Sequence, residues 1–217
     1  MKKITKKREQ SNKEIEAKSY SPVEAIALLK KVATAKFIES VEAHIALNID
    51  PRYSDQQLRT TLILPKGTGK TKRIAVLIQN EKITPEIQTL GDIVGSETLI
   101  DSITRGELNF DILLATPDMM PKLAKLGRIL GPKGLMPSPK AGTVTTDILS
   151  AINEFKGGKI EYRADKTGIV HLSFGKVNFS TDDLLENLTS VYTSIEQNKP
   201  TGVKGRYFKT LYICSTM

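Results

Sequence analysis

The sequence has 217 residues, with 32 Lys and Arg against 24 Asp and Glu, and a net charge of +8. Its hydrophobic fraction of 39% is that of a globular protein and excludes a chain that is disordered throughout. The apolar runs are too short to span a membrane, and no apolar signal-peptide segment begins the chain, so we expect neither a membrane protein nor an exported one. One cysteine excludes an intrachain disulfide, and with only two histidines we expect no metal site and no cofactor.

The basic excess lies in an N-terminal arm and in the segment 66–140. Residues 1–18 contain seven basic and three acidic side chains. Such an arm is typical of phosphate contacts to a nucleic acid, but a solvated terminus has the same composition. Charge alone therefore indicates a polyanionic partner without identifying it.

The first predicted elements are a helix and two strands. Ser21, Pro22 and Glu24 form a capping-box pattern that predicts a helix from about Pro22 to Ala33. Apolar and polar residues then alternate over 41–50, which predicts a strand with one buried and one wet face, and 60–64 is a second strand candidate.

The pattern changes after the polar junction at 65–70. Continuous apolar runs at 74–78 and 110–115 are typical of strands that are covered on both faces, and a short run occupies 93–94. Helical stretches are predicted near 85–90, 97–105 and 118–130. Strands that alternate with helices indicate a small parallel sheet, so the central segment is predicted to be an α/β domain.

A loop rich in Gly and Pro at 131–142 leads to a helix near 146–155, which ends at Gly157 and Gly158. The rest is predicted as strands at 160–164 and 169–174, a helix that is capped at 180–183 and runs to about Gln197, and a strand at 206–215. Glycine-containing junctions thus flank the α/β block. The simplest interpretation is an α+β domain of 1–66 and 159–217, into which an α/β domain of 67–158 is inserted.

Three features resemble chemical sites. The run GTGKT at 67–71 ends like a phosphate-binding loop, but that motif requires a glycine where Leu64 stands, which favours a basic interdomain connection. His44 and His171 have no nucleophile at a spacing typical of catalysis and are interpreted as surface or partner-facing residues. Phe37, between a helix and a strand, fits either a core or a contact role.

Four stretches resemble, in order and spacing, the family of large-subunit ribosomal protein one, the protein of the mobile stalk beside the tRNA exit site. They are TAKFIESV (34–41), LPKGTG (64–69), LGRILGPKGLMP (126–137) and RADKTGIVH (163–171). The resemblance covers nearly the whole chain. It implies a non-enzymatic protein with an rRNA-binding α+β domain built from both termini and an inserted, Rossmann-like three-layer α/β domain.

The resemblance also implies site residues. The rRNA contacts would be Lys36, Phe37, Ser40, Glu42, Lys166, Thr167, Gly168, His171, Ser215, Thr216 and Met217. Ser40 stands where Thr is common in the family, which keeps the hydroxyl. The hinge residues would be Gly67, Thr68, Gly69, Gly157 and Gly158, and the tRNA-facing or backbone-contacting residues Arg128, Lys133 and Lys140. The family continues beyond the last motif with Gly-rich residues and a further strand, whereas this sequence ends at Met217.

The implied partners are large-subunit rRNA, the large ribosomal subunit and tRNA at the exit site. Bacterial relatives also imply binding to the protein's own mRNA leader, which it would repress. We expect a monomer when free, in a bacterial cytoplasm or a plastid stroma. Two alternatives stay open: a nucleotide-dependent enzyme that uses the α/β domain, and an RNA-binding regulator that never joins a ribosome.

Overall fold

The structure is a computed structural model that describes residues 13–79, 81, 83–203 and 205–217. Most of the predicted basic arm lies outside these residues. The helices and strands, in chain order, are α1 (Pro22–Val32), β1 (Ser40–Leu47), β2 (Arg59–Ile63), β3 (Ile74–Leu77), α2 (Pro85–Leu90), β4 (Ile93–Gly95), α3 (Glu97–Thr104), β5 (Ile112–Ala115), α4 (Met120–Ala124), α5 (Gly127–Leu130), α6 (Ile148–Lys156), β6 (Lys159–Arg163), β7 (Ile169–Lys176), α7 (Thr181–Gln197) and β8 (Phe208–Ser215).

The chain divides into two compact units. The first contains the described residues up to Leu58, together with Leu64–Gly69 and Tyr162–Met217. The second contains Arg59–Ile63 and Lys70–Glu161. Strand β2 groups with the second unit and pairs with β6.

The first unit is an antiparallel sheet with two helices. Its strand order is β7-β1-β8, so β1 is central. The predicted alternation is confirmed, since Val41, Ala43, Ile45 and Leu47 are buried while the residues between them are half-exposed. Helices α1 and α7 contact each other and also contact the outer strands β8 and β7 respectively.

Both of these helices begin where the sequence predicts. The Ser21 hydroxyl accepts a hydrogen bond from the Glu24 amide, and the Glu24 carboxylate accepts one from the Ser21 amide. The Ser180 hydroxyl accepts from the Asp183 amide in the same way. These bonds use amides at the helix starts that have no partner within the helix.

The second unit has three layers, as the sequence predicts. Its parallel sheet has the order β4-β3-β5. Alternate residues of β3 belong to two separate apolar cores, Ala75 and Leu77 with α3, α4 and α5, and Ile74 and Val76 with α2 and α6. The sheet therefore lies between two layers of helices.

The predicted helix at 118–130 is wrong as a single element. The structure has a 3₁₀ turn at Pro117–Met119 followed by the two short helices α4 and α5. Gly127 begins α5, and glycine is a poor helix former because it loses the most backbone entropy.

Candidate nucleic-acid interface

One face of the sheet in the first unit carries polar and aromatic side chains. Strand register places His44 between His171 on β7 and Tyr212 on β8, and Glu42 between Ser173 and Cys214. All of these residues are half-exposed or exposed, and Tyr212 is 64% exposed. The predicted rRNA residues Glu42 and His171 thus lie on one wet face of the sheet, whereas Tyr212 was missed. The residues of β8 do not alternate between apolar and polar, so no local signal in the sequence identifies Tyr212.

A line of polar contacts crosses the middle of this face. His171 Nε2 lies 3.6 Å from Asp165 Oδ2, and His171 Nδ1 lies 2.8 Å from His44 Nδ1. His44 Nε2 lies 3.1 Å from Cys214 Sγ. If His171 Nε2–H points to the carboxylate, then His44 Nδ1–H donates to His171 and His44 Nε2 accepts from the thiol. Burial, and then the negative charge of Glu42, raise the pKa of the Cys214 thiol, which agrees with a protonated sulfur.

The sequence analysis did not anticipate this cluster of potential soft metal ligands. A ligand atom from each of Glu42, His44 and Cys214 lies within 4.8 Å of the other two. The sequence argument counted histidines but could not include the register that brings residue 214 beside residue 44.

The amino-terminal end of β1 is joined to the last residues of the chain. The Ser40 amide donates to Thr216 Oγ1 at 2.9 Å, and the Ser40 hydroxyl accepts from Lys176 Nζ at 2.9 Å. Glu39, only 2% exposed, accepts from the Met217 amide at 2.9 Å. The predicted site residues Ser40, Thr216 and Met217 are therefore adjacent, and Ser215 pairs with Val41. Lys176 and Glu39, which the sequence analysis did not select, hold this junction together.

Apolar side chains next to this junction face solvent. Phe37 is 55% exposed and Ile38 is 58% exposed, and Lys36 beside them is exposed. Of the two roles that the sequence left open for Phe37, the core role does not fit this exposure. A half-exposed phenylalanine beside a lysine is a ready contact for a nucleotide base and its phosphate.

The turn at 165–168 holds the other predicted rRNA residues. Asp165 Oδ1 accepts from the amides of Ile169 and Thr167, each at 2.8 Å, and also from the Thr167 hydroxyl. The Ile169 amide, followed by the Thr167 hydroxyl, lowers the pKa of Asp165 to about 2. Gly168 has φ +80°, and an added Cβ would lie 3.0 Å from the Ile49 carbonyl oxygen, so glycine is required here. The turn presents the exposed side chain of Lys166 on a rigid frame.

The predicted rRNA residues therefore occupy one elongated surface rather than a pocket. Lys36, Phe37 and Ser40 precede or begin β1, whereas Gly168 accepts a hydrogen bond from Leu47 at its far end. Eight residues of strand span about 25 Å at roughly 3.3 Å per residue. Glu42 and His171 lie along the strands between these two groups.

The residues predicted as a hinge differ in how firmly they are held. Gly67 and Gly69 have φ near +66°, and the Gly67 carbonyl accepts from Asn187 Nδ2 at 3.1 Å. Thr68 is buried within the same unit. Gly157 and Gly158 follow α6 in the second unit, and Gly158 has φ +107°. Gly67 is thus fixed to the first unit by a buried asparagine.

The basic residues predicted to face tRNA belong to the second unit. Arg128 is in α5, and all three side chains of Arg128, Lys133 and Lys140 are exposed. The loop that carries the two lysines is anchored, because the Leu135 amide bonds to the Leu130 carbonyl and Leu135 packs against the core. The three basic side chains therefore extend into solvent from an ordered part of the second unit.

The second unit also has a cleft of about 150 Å³ near the carboxyl ends of β3 and β5, where α/β folds often bind ligands. Its lining includes Thr84, Thr116, Thr146 and Asp147, and among the residues that the structure describes it contains neither Lys nor Arg. These described lining residues offer no positive charge to a nucleotide phosphate. Of the helices that the structure describes, none has both the length and the apolar character needed to cross a membrane.

Comparison with known proteins identifies the family. The family described as "Ribosomal protein L1p/L10e family" matches residues 29–217. The chain is 61% identical to "Large ribosomal subunit protein uL1c" of Guillardia theta, over 100% of this chain and 93% of that protein. It is 60% identical to "Large ribosomal subunit protein uL1" of Prochlorococcus marinus, over 100% of this chain and 93% of that protein. It is 57% identical to "Large ribosomal subunit protein uL1" of Thermosynechococcus vestitus, over 100% of this chain and 92% of that protein. The chain therefore belongs to the ribosomal protein L1p/L10e family.

Proposed function

We propose that this protein is a structural component of the large ribosomal subunit and that its first unit binds large-subunit rRNA. The relatives are large-subunit proteins of cyanobacterial and plastid type, which agrees with the expectation of a bacterial or plastid ribosome. Proteins of this family are structural, so the prediction of a non-enzymatic protein is confirmed. The nucleotide-dependent enzyme is excluded by the same finding.

The observation that carries the rRNA-binding proposal is the exposed Phe37 beside the exposed Lys36 at the end of a polar sheet face. The face offers hydroxyl, imidazole and carboxylate groups, while Phe37 adds apolar area next to it. Folded RNA is recognised largely by shape and by contacts to phosphate and ribose hydroxyls, and its unstacked bases pack on aromatic rings. A long surface with few charges, with Phe37 at its end and the exposed ring of Tyr212 on the sheet face, fits such a partner.

The second unit would carry the tRNA contacts. Arg128, Lys133 and Lys140 could neutralise phosphates of a deacylated tRNA leaving the exit site. The chain passes between the units at 58/59, 63/64, 69/70 and 161/162, and motion through several such connections is restricted to hinge bending. We place one bend at the crossing after Gly69, because the Asn187 contact holds Gly67 in the first unit. Repression of the protein's own mRNA would use the same rRNA-binding surface.

The decisive experiment compares two aromatic substitutions in the full chain. Phe37→Ala removes the proposed contact, and Tyr53→Ala is the matched control, since Tyr53 is 61% exposed in the same unit but lies outside β1 and the proposed surface. Loss of a stacked aromatic costs about 1–3 kcal/mol. We expect Phe37→Ala to weaken binding to the stalk region of the rRNA by about 5- to 100-fold and Tyr53→Ala to leave it unchanged.

Equal effects of the two substitutions would contradict the assigned surface. Sedimentation with large subunits separates a ribosomal component from a free RNA-binding regulator. A component co-sediments at stoichiometric level after a high-salt wash, whereas a free regulator stays in the supernatant.

A further inference from the structure

The cluster at the centre of the sheet face has a property that rRNA binding does not require. Cys214 and both histidines are the only cysteine and histidines of the whole sequence, and all three lie in one line of contacts with Glu42 beside them. Among the described residues, this is the one group of Cys, His and acidic side chains arranged closely enough to hold a metal ion.

We propose that Glu42, His44 and Cys214 form a binding site for a soft or borderline divalent cation of the Zn²⁺ type. Thiolate and imidazole are the ligands that such cations prefer, and a carboxylate oxygen completes many of their sites. The site goes beyond rRNA binding and does not depend on it.

The distances between the ligand atoms are close to those that coordination needs. In a tetrahedral site with Zn–S near 2.3 Å and Zn–N near 2.0 Å, sulfur and nitrogen are about 3.5 Å apart. His44 Nε2 and Cys214 Sγ are now 3.1 Å apart, and all three ligand atoms lie within 4.8 Å of one another. Small side-chain rotations are sufficient to admit an ion. The thiol proton leaves to solvent when the sulfur binds the cation.

The neighbours of His44 fix the orientation and the tautomer of its ring in a way that suits metal binding. Its Nδ1 contacts His171 Nδ1 at 2.8 Å, and His171 in turn approaches Asp165. Metal-binding histidines usually donate their second ring N–H to such a partner, which fixes the ring and the tautomer. The arrangement directs the lone pair of His44 Nε2 toward Cys214, where the cation would lie. Because all three ligands are only half-buried, a cation can enter from solvent.

The probe for this site is Co²⁺, added to the chelator-treated full chain without RNA and under reducing conditions. A thiolate ligand gives Co²⁺ an intense charge-transfer absorption band, and tetrahedral geometry gives strong visible bands. Because the sequence has one cysteine, this charge-transfer band has a single possible source. We expect stoichiometric binding with both sets of bands, and displacement of Co²⁺ by one equivalent of Zn²⁺.

Substitutions test the assigned roles. Cys214→Ser abolishes the charge-transfer band, and His44→Gln and Glu42→Gln each weaken binding by about 10-fold or more. Replacement of the supporting residue, His171→Ala, weakens it about 10- to 100-fold without removing the band. Ser173→Ala is the matched control, because Ser173 lies opposite Glu42 on β7 but supplies no ligand in the site. It leaves Co²⁺ binding unchanged.

Two results would overturn the proposal. One is the lack of a charge-transfer band in the parent protein. The other is a band that persists at equal affinity in His44→Gln and Glu42→Gln, since the thiol would then bind the metal alone. Thermal melting of each metal-free variant verifies that its fold is intact, and Cys214→Ser is conservative enough to keep the strand. Neither result bears on rRNA binding, which is measured with Phe37→Ala.

Discussion

Asn187 holds together three segments of the first unit, and its replacement by leucine tests this role. The side chain is 0% exposed. Its Nδ2 donates to the carbonyls of Phe174 at 2.8 Å and Gly67 at 3.1 Å, and its Oδ1 accepts from the Lys66 amide at 3.1 Å. Leucine has the same number and branching of side-chain heavy atoms, with bulkier methyl groups in place of the amide, so the substitution removes three hydrogen bonds without creating a cavity.

The cost follows from the three backbone groups that lose their partner. A buried group without a partner costs about 1–3 kcal/mol. The hydrogen bond to the Phe174 carbonyl is buried, so loss of the partner costs this carbonyl the full amount. The hydrogen bonds to Lys66 and Gly67 are only partly buried, so water can replace the lost partner and reduce each of these costs to about half. The expected loss is about 4 kcal/mol in the free energy of unfolding. At roughly 2–4 °C per kcal/mol for a chain of this size, the Tm falls by about 8–16 °C.

Calorimetry on the full chain measures this change in stability. Amide hydrogen exchange at Lys66 reports whether the segment Leu64–Gly69 has lost its contact with residue 187. Asn153→Leu is the control, because Asn153 is an exposed residue of α6 and its replacement should change stability by less than about 0.5 kcal/mol. If Asn187→Leu were as stable as this control, the three bonds would contribute nothing and Gly67 would not be fixed to the first unit.

Two further predictions concern the turn at 165–168. Because the pKa of Asp165 falls from its ordinary value of 3.8 to about 2, its charge stabilises the fold above about pH 4, and this stabilisation is lost as the pH falls toward 2. In urea unfolding, Asp165→Asn should therefore be less stable than the parent at neutral pH and converge with it near pH 2; a constant difference would contradict the reasoning. Lys166→Ala should reduce the slope of log K against log salt for rRNA binding by about 0.7–0.9, the value for one phosphate contact, and an unchanged slope would mean that Lys166 contacts no phosphate.

Local patterns in the sequence predicted most of the elements. The alternation in β1, the capping box of α1 and the serine cap of α7 depend on neighbouring residues only, so they can be read before the fold is known. The exposure of Phe37 depends on where its short connection lies relative to the sheet. The contact between His44 and Cys214 could not be predicted for the same reason, since it requires strands separated by more than a hundred residues to pair in register.

The central position of β1 has a consequence for synthesis on the ribosome. Both strands that pair with β1 come from the last quarter of the chain, whereas the sheet of the second unit is made of strands close together in sequence. At a synthesis rate of roughly 5–20 residues per second, about 10–30 s pass between the synthesis of β1 and that of β8. During this time the alternating apolar face and both edges of β1 lack their native partners, which is a hazard for aggregation. The second unit can fold first and the first unit last, so the emerging chain depends most on chaperones while residues 40–47 wait for their partners.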